Sequence, residues 1–319
     1  MNDSCDLRTR EIERMPAKAS TVTTLPQTVR HRWRDYLALC KPKVVGLMVF
    51  TAWVGMLLAA PGFVPWQALL FGTVGISLMA GSAAALNHVI DRKADAIMDR
   101  TRSRPLPTGH LDVEHSLVFA GLLGVSGFLV LYWWVNPLTA LLTLLSLIGY
   151  AVIYTLYLKR TTPQNIVIGG AAGATPPLLG WTSVTGQIEP LALVLFLIIF
   201  TWTPPHFWAL AIYRKEEYAR VGIPMLPVTH GEDYTRLQVL LYTLLLLVVT
   251  LLPVGMGASG WIYLLAALVL GGMFLYHSVM LYVTRSRQRA IRTFLFSIVY
   301  LLALFGALLL DRYLGFWFA

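Results

Sequence analysis

Apolar and polar positions separate along this chain into long blocks instead of short alternations. From Val44 onward, apolar runs recur at about 44–60, 66–90, 116–135, 138–158, 165–182, 191–213, 237–254, 261–283 and 294–310. Runs of roughly 17 to 25 apolar residues are the length at which an α-helix crosses the hydrocarbon core of a bilayer. A β-barrel would show alternating segments of about 10 residues instead. The pattern predicts an all-α, polytopic membrane protein, a bundle of nine transmembrane helices. Pro176–Pro177 and Pro204–Pro205 fall inside the fifth and sixth runs. There they predict interruptions, with kinks and freed carbonyls that line a cavity.

Composition agrees with that reading. Of 319 residues 57% are hydrophobic and 13% charged, with a mean hydropathy of +0.65. Soluble domains carry about 25% charged residues, so a water-soluble globule is disfavoured. The net charge of +9 raises the question of a nucleic acid, and its placement answers it. Nine crossings sort the polar segments into two sets. The set holding the N-terminus (1–43, 91–115, 159–164, 214–236 and 284–293) carries 24 of the 25 Lys and Arg, and the other set carries only Arg312. This one-sidedness is the positive-inside pattern. It explains the basic excess without nucleic acid and predicts a bacterial inner membrane, with a cytoplasmic N-terminus and a periplasmic C-terminus. Cys5 and Cys40 share the reducing side, so no disulfide is expected. Residues 1–36 are polar and include Asp3, Asp6, Glu11 and Glu13, which fits neither a signal nor a transit peptide. They are expected to form a disordered cytoplasmic tail ahead of a membrane domain at 37–319.

The chemistry concentrates in "NHVIDRKADAIMDR", residues 87–100, directly after the second apolar run. On a helix Asn87, Asp91, Asp95 and Asp99 recur at intervals of four along one stripe. Like charges so spaced destabilise a helix by about 0.2–0.5 kcal/mol per pair in water, and more where screening is poor. Two explanations stand at this point: a solvated helix end, or a divalent cation shared by the carboxylates. Oxygen donors without a His or Cys cluster favour Mg²⁺, which takes one or two carboxylates and completes its shell with phosphate oxygens and water. A phosphorylated ligand would account for Arg100, Arg102 and Arg104 after the stripe and for Lys159–Arg160 ending the fourth run. Positive-inside topology alone also asks for such bases.

The stretch "NHVIDRKADAIMDRTRSRPLP" (87–107) resembles the NxxxDxxxD motif of the UbiA superfamily of intramembrane prenyltransferases. "DYLALCKPKVV" (35–45), "YTLYLKRTTPQNIVIGGAAGATPPLLGW" (154–181) and "WTPPHFWALAIYRKEEYARVGIPMLPV" (202–228) are similar, in order and spacing, to the branch of that superfamily that acts on haem. The resemblance implies nine helices around a central cavity open to the cytoplasmic side and to membrane lipid. It implies transfer of a farnesyl group from farnesyl diphosphate to a vinyl group of haem B with Mg²⁺, and haem A synthase or cytochrome oxidase assembly factors as recipients of the product. It assigns Asn87, Asp91 and Asp95 to the metal; Asp99, from the stripe, and Glu216 and Glu217, after the sixth run, are further candidate oxygens. The last two replace the second aspartate-rich motif of many relatives. Asp91, Asp95 and Lys159 are the candidate catalytic residues, and Asn87, Lys43, Arg100, Arg104 and Arg160 the candidates for the diphosphate. Tyr150, Tyr154, Trp202 and Phe207 could face an allylic cation. His206 is a candidate haem ligand or a hydrogen-bonded packing histidine, and His277 a weaker one. Two alternatives remain at this stage: a prenyltransferase for an aromatic or quinone precursor, and a cation-coupled secondary transporter.

Overall fold

The structure, a computed structural model, describes residues 33–318, and every one of its regular elements is helical. A short α1 (Trp33–Leu39) precedes α2 (Pro42–Ala59), α3 (Ala68–Asp95), α4 (Val113–Trp134) and α5 (Pro137–Thr161). Then come α6 (Asn165–Ala174), α7 (Pro176–Thr185), α8 (Pro190–Tyr213) and the short α9 (Lys215–Arg220). The chain ends with α10 (Glu232–Val249), α11 (Trp261–Thr284) and α12 (Arg287–Phe318). Eight helices among the described residues are long and apolar enough to cross a bilayer alone. Leu122, Val125, Leu145 and Val283 face outward, as lipid contact requires. The chain is a multi-pass membrane protein.

The fifth predicted span is the exception: it crosses as two pieces, α6 and α7. Pro176 and Pro177 offer no N–H to a continuing helix, so the ladder stops at Thr175. The hydroxyl of Thr175 donates to Ala172 O (2.9 Å) and shares a hydrogen with Ser146 Oγ (2.8 Å). The two pieces still reach from end to end. Asn165 donates to Thr162 O at one end, while Thr182 accepts from Asn136 and Thr139 at the other.

Pro204–Pro205, expected to interrupt the sixth span, do not: α8 runs through both prolines. Residues 201–206 are all buried, and Thr201 and Thr203 bond back to Leu197 O and Ile199 O, both at 2.8 Å. Packing overrides the missing donors. The predicted tail, 1–36, lies outside the described residues except for its last four, which belong to α1. Leu39 anchors that helix among Ala85, Leu111 and Ala120, and Tyr36 rests on the Phe119 ring.

Two features position the site. α3 has 28 residues, hence about 42 Å of helix at 1.5 Å per residue. That exceeds a hydrocarbon core of roughly 30 Å, so its final turns reach headgroup depth. α2 and α7 meet backbone to backbone: a Cβ on Gly55 would stand 2.0 Å from Pro177 O, and one on Gly180 1.9 Å from Ala52 O. Small residues permit that approach, which holds α2 against one wall of the cavity.

Candidate active site

A cavity of about 990 Å³ lies between α2, α3, α5, α6, α8 and α12. Its charged lining gathers at one end: Lys41, Lys43, Arg100, Arg104 and Lys159 against Asp91 and Asp95. Five basic side chains to two carboxylates give that end a positive excess. The rest of the wall is apolar and aromatic, with Tyr150, Tyr154, Trp202, Phe207 and Phe294. That division suits a ligand with an anionic head and a greasy body.

The carboxylates of the stripe do not face water. Asp91 and Asp95 are 2% and 5% exposed, and bases answer them one by one. Lys159 Nζ donates to Asp91 Oδ2 at 2.5 Å, and Arg104 Nη1 to Asp95 Oδ2 at 2.6 Å. Asn87 donates its amide N–H to Asp91 Oδ2 (2.9 Å) and Thr155 Oγ1 (3.2 Å), and accepts from Lys41 Nζ at 2.5 Å. Arg160 stands half outside, donating to Ile90 O at 3.2 Å and 4.0 Å from Asp91 Oδ1; it does not line the cavity. Lys43 and Arg100 do line it and hold no carboxylate among the described residues, so their charge is free for a ligand.

The fourth rung is absent. α3 ends at Asp95, where Thr101 Oγ1 donates to the Asp95 carbonyl (3.0 Å) and the chain turns away. Asp99 is instead an exposed partner of Arg102 (3.7 Å) and Arg220 (3.5 Å). Glu216 is exposed and pairs with Arg287 at 2.8 Å, whose guanidinium holds its carboxyl below the ordinary range. Glu217 pairs with Arg214 at 2.5 Å. None of these three acids lines the cavity. His277 does not line it either; its ring lies against Phe296. His206 does, with its ring between Trp202 and Phe294 and Nδ1 2.6 Å from Ser297 Oγ. His88 is buried, with neither ring nitrogen partnered, and lies off the cavity.

Three contributors escaped the sequence. Lys41 carries a left-handed backbone (φ 50°, ψ 60°) just before Pro42, a strain of order 1–3 kcal/mol for a side-chain-bearing residue. Burial first, then Arg104 and Lys159, bring its ammonium down to about 7, while Asp91 and Asp95 pull the other way. Thr155 belongs to a π-helical stretch, Gly149–Leu158, in α5, and donates to Tyr150 O at 2.7 Å. Such wider turns concentrate at functional sites, and this one aims Tyr150 and Tyr154 at the cavity. Tyr218, after α8, also lines it; burial pushes its phenol up, so it stays a donor. The only sequence signals were a Lys beside a Pro, and polar residues ahead of Lys159.

The residues fit a divalent cation held jointly with a phosphorylated ligand. Asp91 Oδ1 is a buried carboxylate oxygen with no hydrogen-bond partner. Among the described residues no three His, Cys, Asp or Glu converge on one point. Two carboxylates and an amide suit Mg²⁺, which keeps positions for phosphate oxygens and water.

Fold and site together define a polytopic α-helical membrane enzyme with a charged-and-apolar cavity. The chain belongs to the UbiA prenyltransferase family, whose model matches residues 48–310. It is 62% identical to the protoheme IX farnesyltransferase of Alkalilimnicola ehrlichii over 285 residues, 89% of this chain and 94% of that protein. It is 59% identical to the protoheme IX farnesyltransferase of Hahella chejuensis over 291 residues, 91% and 97% of the two chains. Among solved structures, a digeranylgeranylglyceryl phosphate synthase shares the fold with a TM-score of 0.74 at 18% identity, covering 87% of this chain and 97% of that one. A UbiA homologue from Archaeoglobus fulgidus bound to DMAPP and Mg²⁺ gives 0.62 at 15% identity, covering 86% and 99%.

Proposed function

We propose that this protein transfers the farnesyl group of farnesyl diphosphate to a vinyl group of haem B, with addition of water, giving haem O and diphosphate. The observation that carries the prenyl-diphosphate half is the buried Asp91 and Asp95 meeting five bases at one end of an otherwise apolar cavity. Haem as acceptor is supported by relatives at about 60% identity that carry the name protoheme IX farnesyltransferase. The transporter alternative gains no support, because the site's acids gather at one end of the bundle instead of its middle.

Asp91, Asp95 and Asn87 would hold Mg²⁺, with Asp91 Oδ1 the donor still open. When bound, Mg²⁺ neutralises charge growing on the leaving diphosphate. Lys43 and Arg100 are uncommitted and bind the diphosphate; Lys41, Lys159 and Arg104 can swing from their partners to phosphate oxygens as charge develops. Donors gathered at the place where charge develops, in a largely apolar cavity, stabilise the transition state. Breaking the allylic C–O bond leaves a farnesyl cation, which the faces of Tyr150 and Tyr154, stacked with centroids 5.6 Å apart, can stabilise without reacting. The vinyl π electrons then form the new C–C bond. Water captures the cation left beside the porphyrin ring and sheds its proton. The site would face the cytoplasm, with the C-terminus periplasmic, since the bases gather at that end.

Purified protein in lipid nanodiscs, given labelled farnesyl diphosphate and Mg²⁺ with haem B or with a phenolic quinone precursor, tests the reading. Farnesylated, hydrated haem is the expected product. Prenylated phenol with untouched haem would overturn the assignment.

A further inference from the structure

His206 is the one imidazole lining the cavity among the described residues. The count of hydrogens around it fixes its tautomer. Its Nδ1 stands 2.6 Å from Oγ of Ser297 on α12. That same Oγ stands 2.6 Å from the carbonyl oxygen of Phe294. Each contact is of hydrogen-bond length and needs a hydrogen between its heavy atoms. A serine hydroxyl has one hydrogen and a carbonyl oxygen none. Ser297 therefore donates to Phe294 O and can only accept from His206. The imidazole carries its hydrogen on Nδ1, and its lone pair is on Nε2, which has no partner among the described residues.

Ser297 is itself fixed. It is fully buried, and its carbonyl accepts the indole N–H of Trp202 at 2.8 Å. Trp202 stacks on one face of His206 with centroids 4.2 Å apart, and Phe294 stacks on the imidazole at 4.6 Å. One residue on α12 thus orients both the imidazole and the ring beside it.

We propose that Ser297 is a positioning residue that locks His206 as the Nδ1–H tautomer, so that Nε2 presents its lone pair to the cavity and ligates the iron of the acceptor haem. Metal-ligating histidines are commonly held this way, with the remote N–H donated to a fixed acceptor that sets ring orientation and raises basicity. The step forms one Fe–N coordinate bond from the Nε2 lone pair, with no change of oxidation state and no proton released. Holding iron at a fixed distance from α8 sets which vinyl edge can reach the charged end of the cavity. The inference rests on haem B being the acceptor, and deepens that reading.

Two measurements test it. The imidazole ¹⁵N spectrum of histidine-labelled protein, with His206 identified by its loss in His206→Gln, reads the tautomer without haem. The expected result is a protonated Nδ1 and a bare Nε2 in the wild type, a preference kept by Ser297→Thr and lost in Ser297→Ala. Titration of purified protein with haem B reads ligation. Ser297→Ala is expected to shift the Soret band and weaken haem affinity by roughly 10- to 100-fold, with Ser297→Thr restoring both and farnesyl diphosphate affinity unchanged. His206→Ala is expected to lose the imidazole-ligated band and regain it with free imidazole. A wild-type Nε2–H tautomer would overturn the proposal even if Ser297→Ala fails to fold. A Soret band that His206→Ala leaves unmoved, with haem still taken up, would remove ligation alone and leave haem farnesylation standing. A wild type that takes up no haem would remove both.

Discussion

At the scale of single residues, both buried acids are compensated, Asp91 by Lys159 and Asp95 by Arg104, while Lys41 donates to the neutral amide of Asn87 beside Asp91. Repulsion along α3 is thereby offset even before any cation binds, and the same bases are at hand when a diphosphate arrives. Lys41 makes this measurable. Its ammonium sits at about 7 against an ordinary 10.5. Between those pH values the folded chain binds fewer protons than the unfolded one, so the stability it costs is regained as pH rises across that window. An anionic ligand restores the proton. Binding of inorganic pyrophosphate at pH 8 should therefore take up protons, and affinity should fall as pH rises above about 7. Calorimetry in two buffers of different ionisation enthalpy reads the uptake. Wild type should exceed Lys41→Met by a fraction of a proton, and equal uptake would remove Lys41 from the diphosphate site. The stripe Asn87–Asp91–Asp95 was legible in the sequence because a period of four survives wherever the helix does. Asp99 was misplaced because nothing local announces that Thr101 ends α3 at Asp95. Lys41 was illegible because its contact lies 46 residues away.

At the scale of elements, the spans were legible, their ends to within about eight residues, because apolar length is a direct physical requirement of the bilayer. What composition could not reveal was how neighbours modify a helix. The prolines of α8 are absorbed by burial, whereas those at Pro176–Pro177 break the span in two. The π-helical stretch of α5 has no compositional mark, yet it decides where Tyr150, Tyr154 and Thr155 point. The contact of α2 with α7 offers the sharpest test at this scale. The Gly180 Cβ position faces a carbonyl and not a side-chain tip, so α2 itself would have to move. Gly180→Ala should destabilise the protein by about 1–3 kcal/mol, lowering its thermal unfolding midpoint in detergent by several degrees. An unchanged midpoint would mean that the two helices are not in backbone contact. Gly169→Ala tests the site separately. Its Cβ would fall 2.1 Å from the Tyr154 ring, so turnover should drop more than stability.

At the scale of the whole molecule, charge placement and the cavity tell one story. Bases crowd one end of the bundle, and the acids of the site are there with them. The expected topology follows. In a chain with Cys5 and Cys40 replaced, Gln187→Cys should react with a membrane-impermeant maleimide in intact cells and Thr108→Cys only after lysis. The reverse pattern would invert the protein in its membrane. A ligand with an anionic head and a farnesyl body fits this division of the cavity, and the acceptor then has to enter the apolar part, where His206 and its stacked rings lie. Everything functional depends on Asp91 and Asp95 working at the diphosphate and not merely closing the helix end. The most direct measurement is haem O formation by Asp91→Ala in nanodiscs, at saturating farnesyl diphosphate, haem B and Mg²⁺, with the amount of inserted protein matched to wild type. The expected result is a loss of at least about 10²-fold in turnover, with the folded, inserted fraction unchanged. Turnover near that of the wild type would contradict it.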